Sequence, residues 1–191
     1  MPTSAEMVKK LASAGELEAL RKALLQERPS QQRCISVCGG TGCRAYQCLE
    51  VGEAIRKEIH RRNLSGEVQL KITGCHGFCE RGPLVVIHPE KTLYQRVKPA
   101  DAAEIVAESV MGSNTIERLL VADPANGVRY TREPDVPFYR KQQRLLFGAN
   151  GLIDPTSIED YLAMGGYAGI ARALTMSPEQ VIDEVKRSGL R

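Results

Sequence analysis

Two glycine-framed pairs of cysteines carry the chemistry of this chain: Cys38 and Cys43 in CGGTGC, and Cys75 and Cys79 in CHGFC. A thiolate is a soft ligand, and four of them brought to one point suit an iron–sulfur cluster or a zinc ion. Structural zinc sites favour C-x-x-C knuckles. The spacings here are C-x4-C and C-x3-C, the wider bite that two irons need. Gly39, Gly40, Gly42, Gly74 and Gly77 let backbone approach bridging sulfides and present amide N–H groups to sulfur. Arg44, His76 and Arg81 stand beside the pairs, where positive charge favours a reduced cluster. Each of the three also reads as an ordinary charge beside a loop.

The other two cysteines fit packing better than ligation. Cys34 lies four residues before Cys38, ~13 Å away along an extended strand, too far to share a ligand position. Cys48 repeats the x4 spacing after Cys43 but falls on the apolar stripe of a helix. His60 sits among Arg56, Lys57, Arg61 and Arg62 on a solvated helix face, and His88 closes a strand. Only His76, inside the second pair, is linked to the chemistry, to tune a centre or pass a proton.

The elements that must position these residues follow from periodicity. Cys34–Cys38 reads as a short strand entering a glycine-rich loop, and Ala45–Arg62 as a helix with Cys48, Val51, Ile55 and Ile59 at helical spacing. Val68, Leu70 and Ile72 alternate as a half-buried strand; Leu84–Ile87 and Leu93–Val97 form a hairpin across Pro89–Thr92. Pro99 opens a last helix that Gly112 stops. The order β-α-β-β-β-α contains a strand–helix–strand unit, whose parallel strands end on one edge of the sheet. That edge brings both cysteine pairs to neighbouring loops, although residues 44–74 separate them in sequence. The fold class is therefore α/β, with N-terminal helices and a mostly helical C-terminal segment.

Helices are expected within Ser4–Arg28, with one apolar stripe of Met7, Val8 and Leu11 and another of Leu17, Leu20 and Leu24 about Gly15. Asp123–Val136 reads as an extended connection. Short helices follow at Pro137–Phe147, Ser157–Met164, Tyr167–Leu174 and Pro178–Ser188, the last with Ser177 and Gln180 as a capping box. Gly165-Gly166-x-x-Gly169 follows no strand and reads as a break between helices, not a dinucleotide loop.

Composition narrows the function classes. A net charge of +3 and an aromatic set of three Phe, six Tyr and no Trp argue against nucleic acid. No signal-peptide layout and no run of about 20 apolar residues is present, so direct membrane insertion is not expected and a cytoplasmic location is. In that compartment the six cysteines are read as reduced, against a disulfide framework. A thiol–disulfide enzyme would need a C-x-x-C pair at a helix start, which the sequence lacks. A zinc-stabilised cytosolic interaction module with no redox role stays open beside the iron–sulfur reading.

CGGTGC followed by TGCHGFCERGPLVVIHP resembles the thioredoxin-like 2Fe–2S ferredoxin domain of NAD(P)-linked redox complexes. It is similar in particular to the version at the N-terminus of the flavin subunit of NADP-reducing and bifurcating hydrogenases, with formate dehydrogenases and the NADH-binding subunit of respiratory complex I as relatives. The resemblance implies that Cys38, Cys43, Cys75 and Cys79 ligate a 2Fe–2S cluster, and makes Pro83 a candidate cis-proline. FYRKQQRLLFGANGLIDPTSIEDYLAMGGYAGIARAL resembles the lead-in to the flavin domain of that family. The implied organisation is an N-terminal helical segment (1–30), the ferredoxin domain (31–112), a linker (113–136) and the start of a flavin (FMN)/NADH-binding domain (137–191). FMN, NAD(P)H and 4Fe–4S sites are expected only downstream of Arg191. The implied function is one-electron transfer within an NAD(P)H-linked oxidoreductase. Its implied partners are ferredoxin-like subunits and catalytic hydrogenase, formate dehydrogenase or quinone-reducing subunits.

Overall fold

The computed structural model describes residues 10–27 and 33–190. They fall into two compact units, one within Ser30–Ser157 and one drawn from Met1–Pro29 together with Ile158–Arg191.

In the larger unit, β1 (Arg33–Cys38) leads to α2 (Thr41–Ala45) and α3 (Cys48–Arg61), then β2 (Val68–Thr73), β3 (Val85–His88) and β4 (Thr92–Tyr94). The sheet order is β2-β1-β3-β4. β1 and β2 are parallel with Cys38 opposite Thr73, while β3 pairs antiparallel with β1 and with β4. Both parallel strands thus end on one edge, as the strand–helix–strand order requires. α3 buries Cys48, Val51, Gly52, Ile55 and Ile59 along one face. It comes so close to β2 that a Cβ on Gly52 would lie 2.6 Å from Ile72 Cδ1.

The helix expected over Ala45–Arg62 forms as α3, starting at Cys48, and the glycine-rich loop expected before it contains the short α2. Gln47 adopts φ +64, and the N–H groups of Tyr46 and Gln47 turn back to the carbonyls of Cys43 and Arg44. On one continuous helix Cys43 and Cys48 would point about 140° apart. The break lets both be fully buried.

The helical run after β4 is also less regular than expected. It opens as a 3-10 turn (Pro99–Asp101), passes through α4 (Ala102–Glu104) and widens into a π-helix (Ile105–Met111). Asp101 caps its start by accepting from Lys98 N–H at 2.7 Å. Inside it, Ser109 Oγ meets the fully buried Tyr94 hydroxyl at 2.6 Å, and that hydroxyl accepts from Ile116 N–H at 3.1 Å. Tyr94→Phe strands that amide and is expected to cost about 1–3 kcal/mol, read as a lower midpoint in urea unfolding.

Past Gly112 the chain stays with the sheet. Ile116, Leu119, Leu120, Val121 and Val136 are buried in the same core, and β5 (Val121–Ala122) pairs with β6 (Arg129–Tyr130) in a small hairpin. Leu93 N–H and Gln95 N–H donate to Thr131 and Leu119 carbonyls, which covers the open edge of β4. The helix expected over Pro137–Phe147 forms only as α5 (Pro137–Arg140), whose Phe138 and Tyr139 pack onto Phe78.

The smaller unit packs α1 (Ala14–Gln26) against α6 (Ile158–Ala163) and α7 (Ala168–Ala173). Ser13 caps α1 by accepting from Glu16 N–H, so Gly15 lies in the first turn instead of dividing two helices. The stripe Met7 and Val8 lies outside the described residues; Leu11 precedes α1 in irregular backbone. Gly165–Tyr167 separates α6 from α7, as expected. The capping box of α8 (Pro178–Ser188) forms between Ser177 and Gln180, and Gly189 ends the helix at φ +70.

His88 makes stability pH-dependent. Burial lowers its pKa below the usual 6.5, assisted by His76, Lys91 and Lys71 and opposed by Glu133. The unfolded chain therefore takes up this proton first, and stability falls as pH drops from about 6.5 through the lower folded value. Urea unfolding between pH 8 and 5 should show this slope reduced in His88→Gln.

Candidate metal centre

Cys38 ends β1, and its strand end is fixed on both sides: Cys38 N–H donates to Leu84 O at 3.0 Å and Gly39 N–H to Thr73 O at 2.9 Å. Gly40 in extended conformation starts α2, whose Arg44 N–H closes the turn onto Gly40 O at 2.9 Å. This carries Cys43 inward to full burial. Cys75 follows β2 after one glycine, and Cys79 opens a 3-10 turn (Cys79–Arg81). Its sulfur lies 3.7 Å from that of Cys75.

The two loops interlock through their glycines. A Cβ on Gly40 would lie 2.8 Å from Cys75 Cβ, one on Gly42 would lie 2.9 Å from Cys79 Cβ, and one on Gly82 only 2.6 Å from Cys43 Sγ. Each distance is shorter than real Cβ contacts allow. Glycine is required at these places by the neighbouring cysteine, not by a special turn. All four sequence-predicted residues therefore sit at one edge of the sheet, on loops in mutual contact. Among the described residues no three His, Cys, Asp or Glu side chains close round a single ion.

The loops also supply the donors that a sulfur-rich centre needs. Gly77 N–H donates to Cys75 Sγ at 3.3 Å. The Cys38 thiol is drawn well below its usual pKa, first by the Cys43 thiol beside it and further by the polar backbone at His76 and Gly40, which together outweigh its burial. The same contact pushes Cys43 up. His76 belongs to the second loop, so its pull on the Cys38 thiol ties the pairs together electrostatically. Buried thiols, inward N–H donors and glycines where sulfur leaves no room for a Cβ make a cradle that fits a thiolate-held cluster.

Cys34 and Cys48 stay outside this edge. Cys34 stands in β1 opposite Gln69 and His88, and Cys48 is buried in the first turn of α3, where burial raises its thiol pKa. Arg44 bonds to Gly39 O at 3.0 Å, and Arg81 lies over the Phe78 ring with its guanidinium 5.9 Å from the centroid. Pro83 follows a cis peptide, and so does Pro89, which the sequence reading did not anticipate.

His76 is almost wholly buried. Its Nε2 meets Thr73 Oγ1 at 3.2 Å, and its Nδ1 faces Glu133 Oε1 at 3.4 Å, off the line of a good hydrogen bond. Arg144 holds the same carboxylate at 3.3 Å. Burial would raise the Glu133 pKa, but the His76 imidazole and the Arg144 guanidinium outweigh it and hold the group below the usual carboxylate value. Glu133, Phe138 and Asn150 went unnoticed in the sequence, although an apolar Phe78 between two ligand candidates signals a loop that something must cover.

Comparison with known proteins agrees with this arrangement. The family model of the thioredoxin-like [2Fe-2S] ferredoxin matches residues 23–109, a span containing both cysteine pairs. A 2Fe–2S ferredoxin of Clostridium pasteurianum is 35% identical over 79 residues, 41% of this chain and 78% of that protein. The NADP-reducing hydrogenase subunit HndC of Solidesulfovibrio fructosivorans is 56% identical over 52 residues, which are 27% of this chain but only 11% of the subunit. The crystal structure of the thioredoxin-like [2Fe-2S] ferredoxin from Aquifex aeolicus aligns at 29% identity and TM-score 0.44, covering 49% of this chain and all of that one. With the clostridial ferredoxin matched over most of its length and the sheet edge built as its cofactor demands, the chain belongs to the thioredoxin-like [2Fe-2S] ferredoxin family and carries a 2Fe–2S cluster.

Proposed function

We propose that Cys38, Cys43, Cys75 and Cys79 are the ligands of that cluster, and that the chain serves as a one-electron relay in the flavin subunit of an NAD(P)H-linked oxidoreductase complex, of which the NADP-reducing hydrogenases are the favoured case. The observation that carries the ligand assignment is the interlocking of the two loops, with Gly40 and Gly42 against Cys75 and Cys79, and Gly82 against Cys43. The 56% identity to HndC supports the placement in a hydrogenase-type complex. Residues 31–112 are assigned to the relay and 137–191 to the lead-in of the flavin domain.

The cluster supplies one-electron chemistry when bound. The chain's own residues hold and tune it. Burial of Cys38 and Cys43 keeps water from one side, and the Gly77 N–H donates to Cys75 Sγ, where it favours the more negative, reduced state. Arg44 and Arg81 add positive charge on the same edge. Replacing either by Glu is expected to lower the midpoint potential, measured by an EPR-monitored titration, because the added electron then meets a negative neighbour. The ligand assignment is tested by replacing each of the six cysteines singly with alanine and counting iron and acid-labile sulfide per chain. Loss at the four and retention at Cys34 and Cys48 is the expected pattern.

A further inference from the structure

Residues 133–152 lie against the short loop between Cys75 and Cys79 at every one of its positions. Glu133 faces the His76 imidazole at 3.4 Å. Phe138 stacks flat on Phe78, with ring centroids 4.3 Å apart and planes 9° from parallel, and Tyr139 meets the same ring edge-on at 5.8 Å. The Phe138 ring also lies at 3.8 Å from where a Cβ of Gly77 would stand. Asn150 Nδ2 donates to the backbone carbonyl of Cys75 at 3.2 Å, and a Cβ on Gly74 would lie 2.9 Å from Asn150 Oδ1. Gly151, at φ +89, lies so close to His76 that a Cβ there would stand 2.7 Å from Cε1. Arg144 ties the segment to itself through Glu133 and the Tyr139 ring, with its guanidinium carbon 4.8 Å from the centroid.

We propose that this segment is a strap belonging to the cluster's protein shell, in which Asn150 is a positioning residue for Cys75. The inference rests on the reading that Cys75 and Cys79 are ligands. The loop is only five residues long from sulfur to sulfur and has a glycine at its centre, so its own sequence does little to hold it in place. Beyond the His76–Thr73 contact and the Gly77 N–H on Cys75, its rigidity comes from outside: an aromatic stack on Phe78, a carboxylate and a glycine enclosing His76, and an amide holding the Cys75 carbonyl. The bond from Asn150 fixes the peptide that follows Cys75 and so the direction of its sulfur, while the aromatic stack excludes water behind it. Partners of ligand residues acting in this way commonly change metal retention 10–100-fold. The strap therefore makes residues beyond the ferredoxin core, from the stretches read as linker and flavin-domain lead-in, part of the redox unit.

The test uses the full chain with its cluster, in wild type and in Asn150→Ala, Asn150→Asp and Lys141→Ala. Asn150→Ala removes the donor. Asn150→Asp keeps the shape, loses the donor and sets a negative charge beside Cys75. Lys141 is exposed and serves as the control. Iron release to a chelator is expected to quicken about tenfold in both Asn150 variants and not in Lys141→Ala. Asn150→Asp should also lower the reduction potential and shift the EPR g-values, changes that a purely structural role would not produce. Hydrogen exchange of the peptide covering residues 74–78 should rise in both Asn150 variants, while far-UV dichroism stays at wild type. If a variant does not fold, the same exchange experiment on wild type decides: amides of 74–78 exchanging as fast as an open loop overturn the strap. Unchanged release, potential and g-values in folded Asn150 variants overturn it too. Retention of a normal cluster in Cys75→Ala would instead defeat the ligand reading, so the two failures are distinguishable.

Discussion

Cys38→Ala and Cys75→Ala are each expected to give a folded chain without a 2Fe–2S cluster. One variant is taken from each pair because the claim is that both pairs serve one centre. Alanine is used because it has no donor atom, whereas serine keeps a harder oxygen that can stand in for sulfur. The fold should survive, since most of the core is carried by other residues, among them Ile35, Val37, Leu84, Val85, Val86, Ile87 and Leu93. Cys34→Ala and Cys48→Ala should keep the cluster, with Cys48→Ala somewhat destabilised because it empties a fully buried site. Visible absorption together with far-UV dichroism separates loss of cluster from loss of fold. A stable cluster in Cys38→Ala, or its loss in Cys34→Ala, would overturn the assignment.

Gly82→Ala is expected to have the next largest effect, although it adds a single methyl group. Gly82 has φ −68 and ψ 161, and Gly40 has φ −60 and ψ 156, which any residue adopts. Backbone strain therefore plays no part, and the methyl acts only through what it meets. On Gly82 that is Cys43 Sγ at 2.6 Å, with the Cys79 carbonyl at 3.2 Å. Either the sulfur is displaced or the loop moves, and overpacking of this kind costs about 1–3 kcal/mol in the protein itself. The larger loss falls on the cluster, because a moved ligand spoils the cage: a fall in iron occupancy of roughly tenfold or more is expected, on the scale of outer-shell changes. Gly40→Ala should behave alike through Cys75. Gly66→Ala, which meets nothing within 4 Å, is the control. Full occupancy in Gly82→Ala would show that the loops are not locked as described.

Much of this was legible in the residues alone. The alternation of Val68, Leu70 and Ile72, the apolar run at Leu84–Ile87 and the stripe of Val51, Ile55 and Ile59 define β2, β3 and α3, because burial on one face leaves a period in the chain. The parallel pairing of β1 and β2 follows from the helix between them, and with it the meeting of Cys38, Cys43, Cys75 and Cys79. What escaped was decided by partners distant in sequence. The short helix α2 in the glycine-rich loop, set off from α3 at Gln47, carries Cys43 to full burial beside Cys48, a demand that local propensity does not register. Ile116, Leu119, Leu120 and Val121 carry no helix or strand period long enough to read, yet they are core residues. Asn150 reaches a carbonyl 75 residues earlier in the chain, and nothing about one asparagine announces such a partner. The role of Gly82 is likewise visible only once Cys43 is set beside it.

Whether this chain is a one-electron carrier built on a cluster held by these four thiolates is decided by an EPR-monitored redox titration of the anaerobically reconstituted full chain, with iron and acid-labile sulfide counted on the same sample. About two irons and two sulfides per chain are expected, the stoichiometry of a 2Fe–2S centre, with one unpaired spin that appears on reduction along a single-electron curve. A colourless protein holding one zinc, with no sulfide and no signal on reduction, would contradict that role.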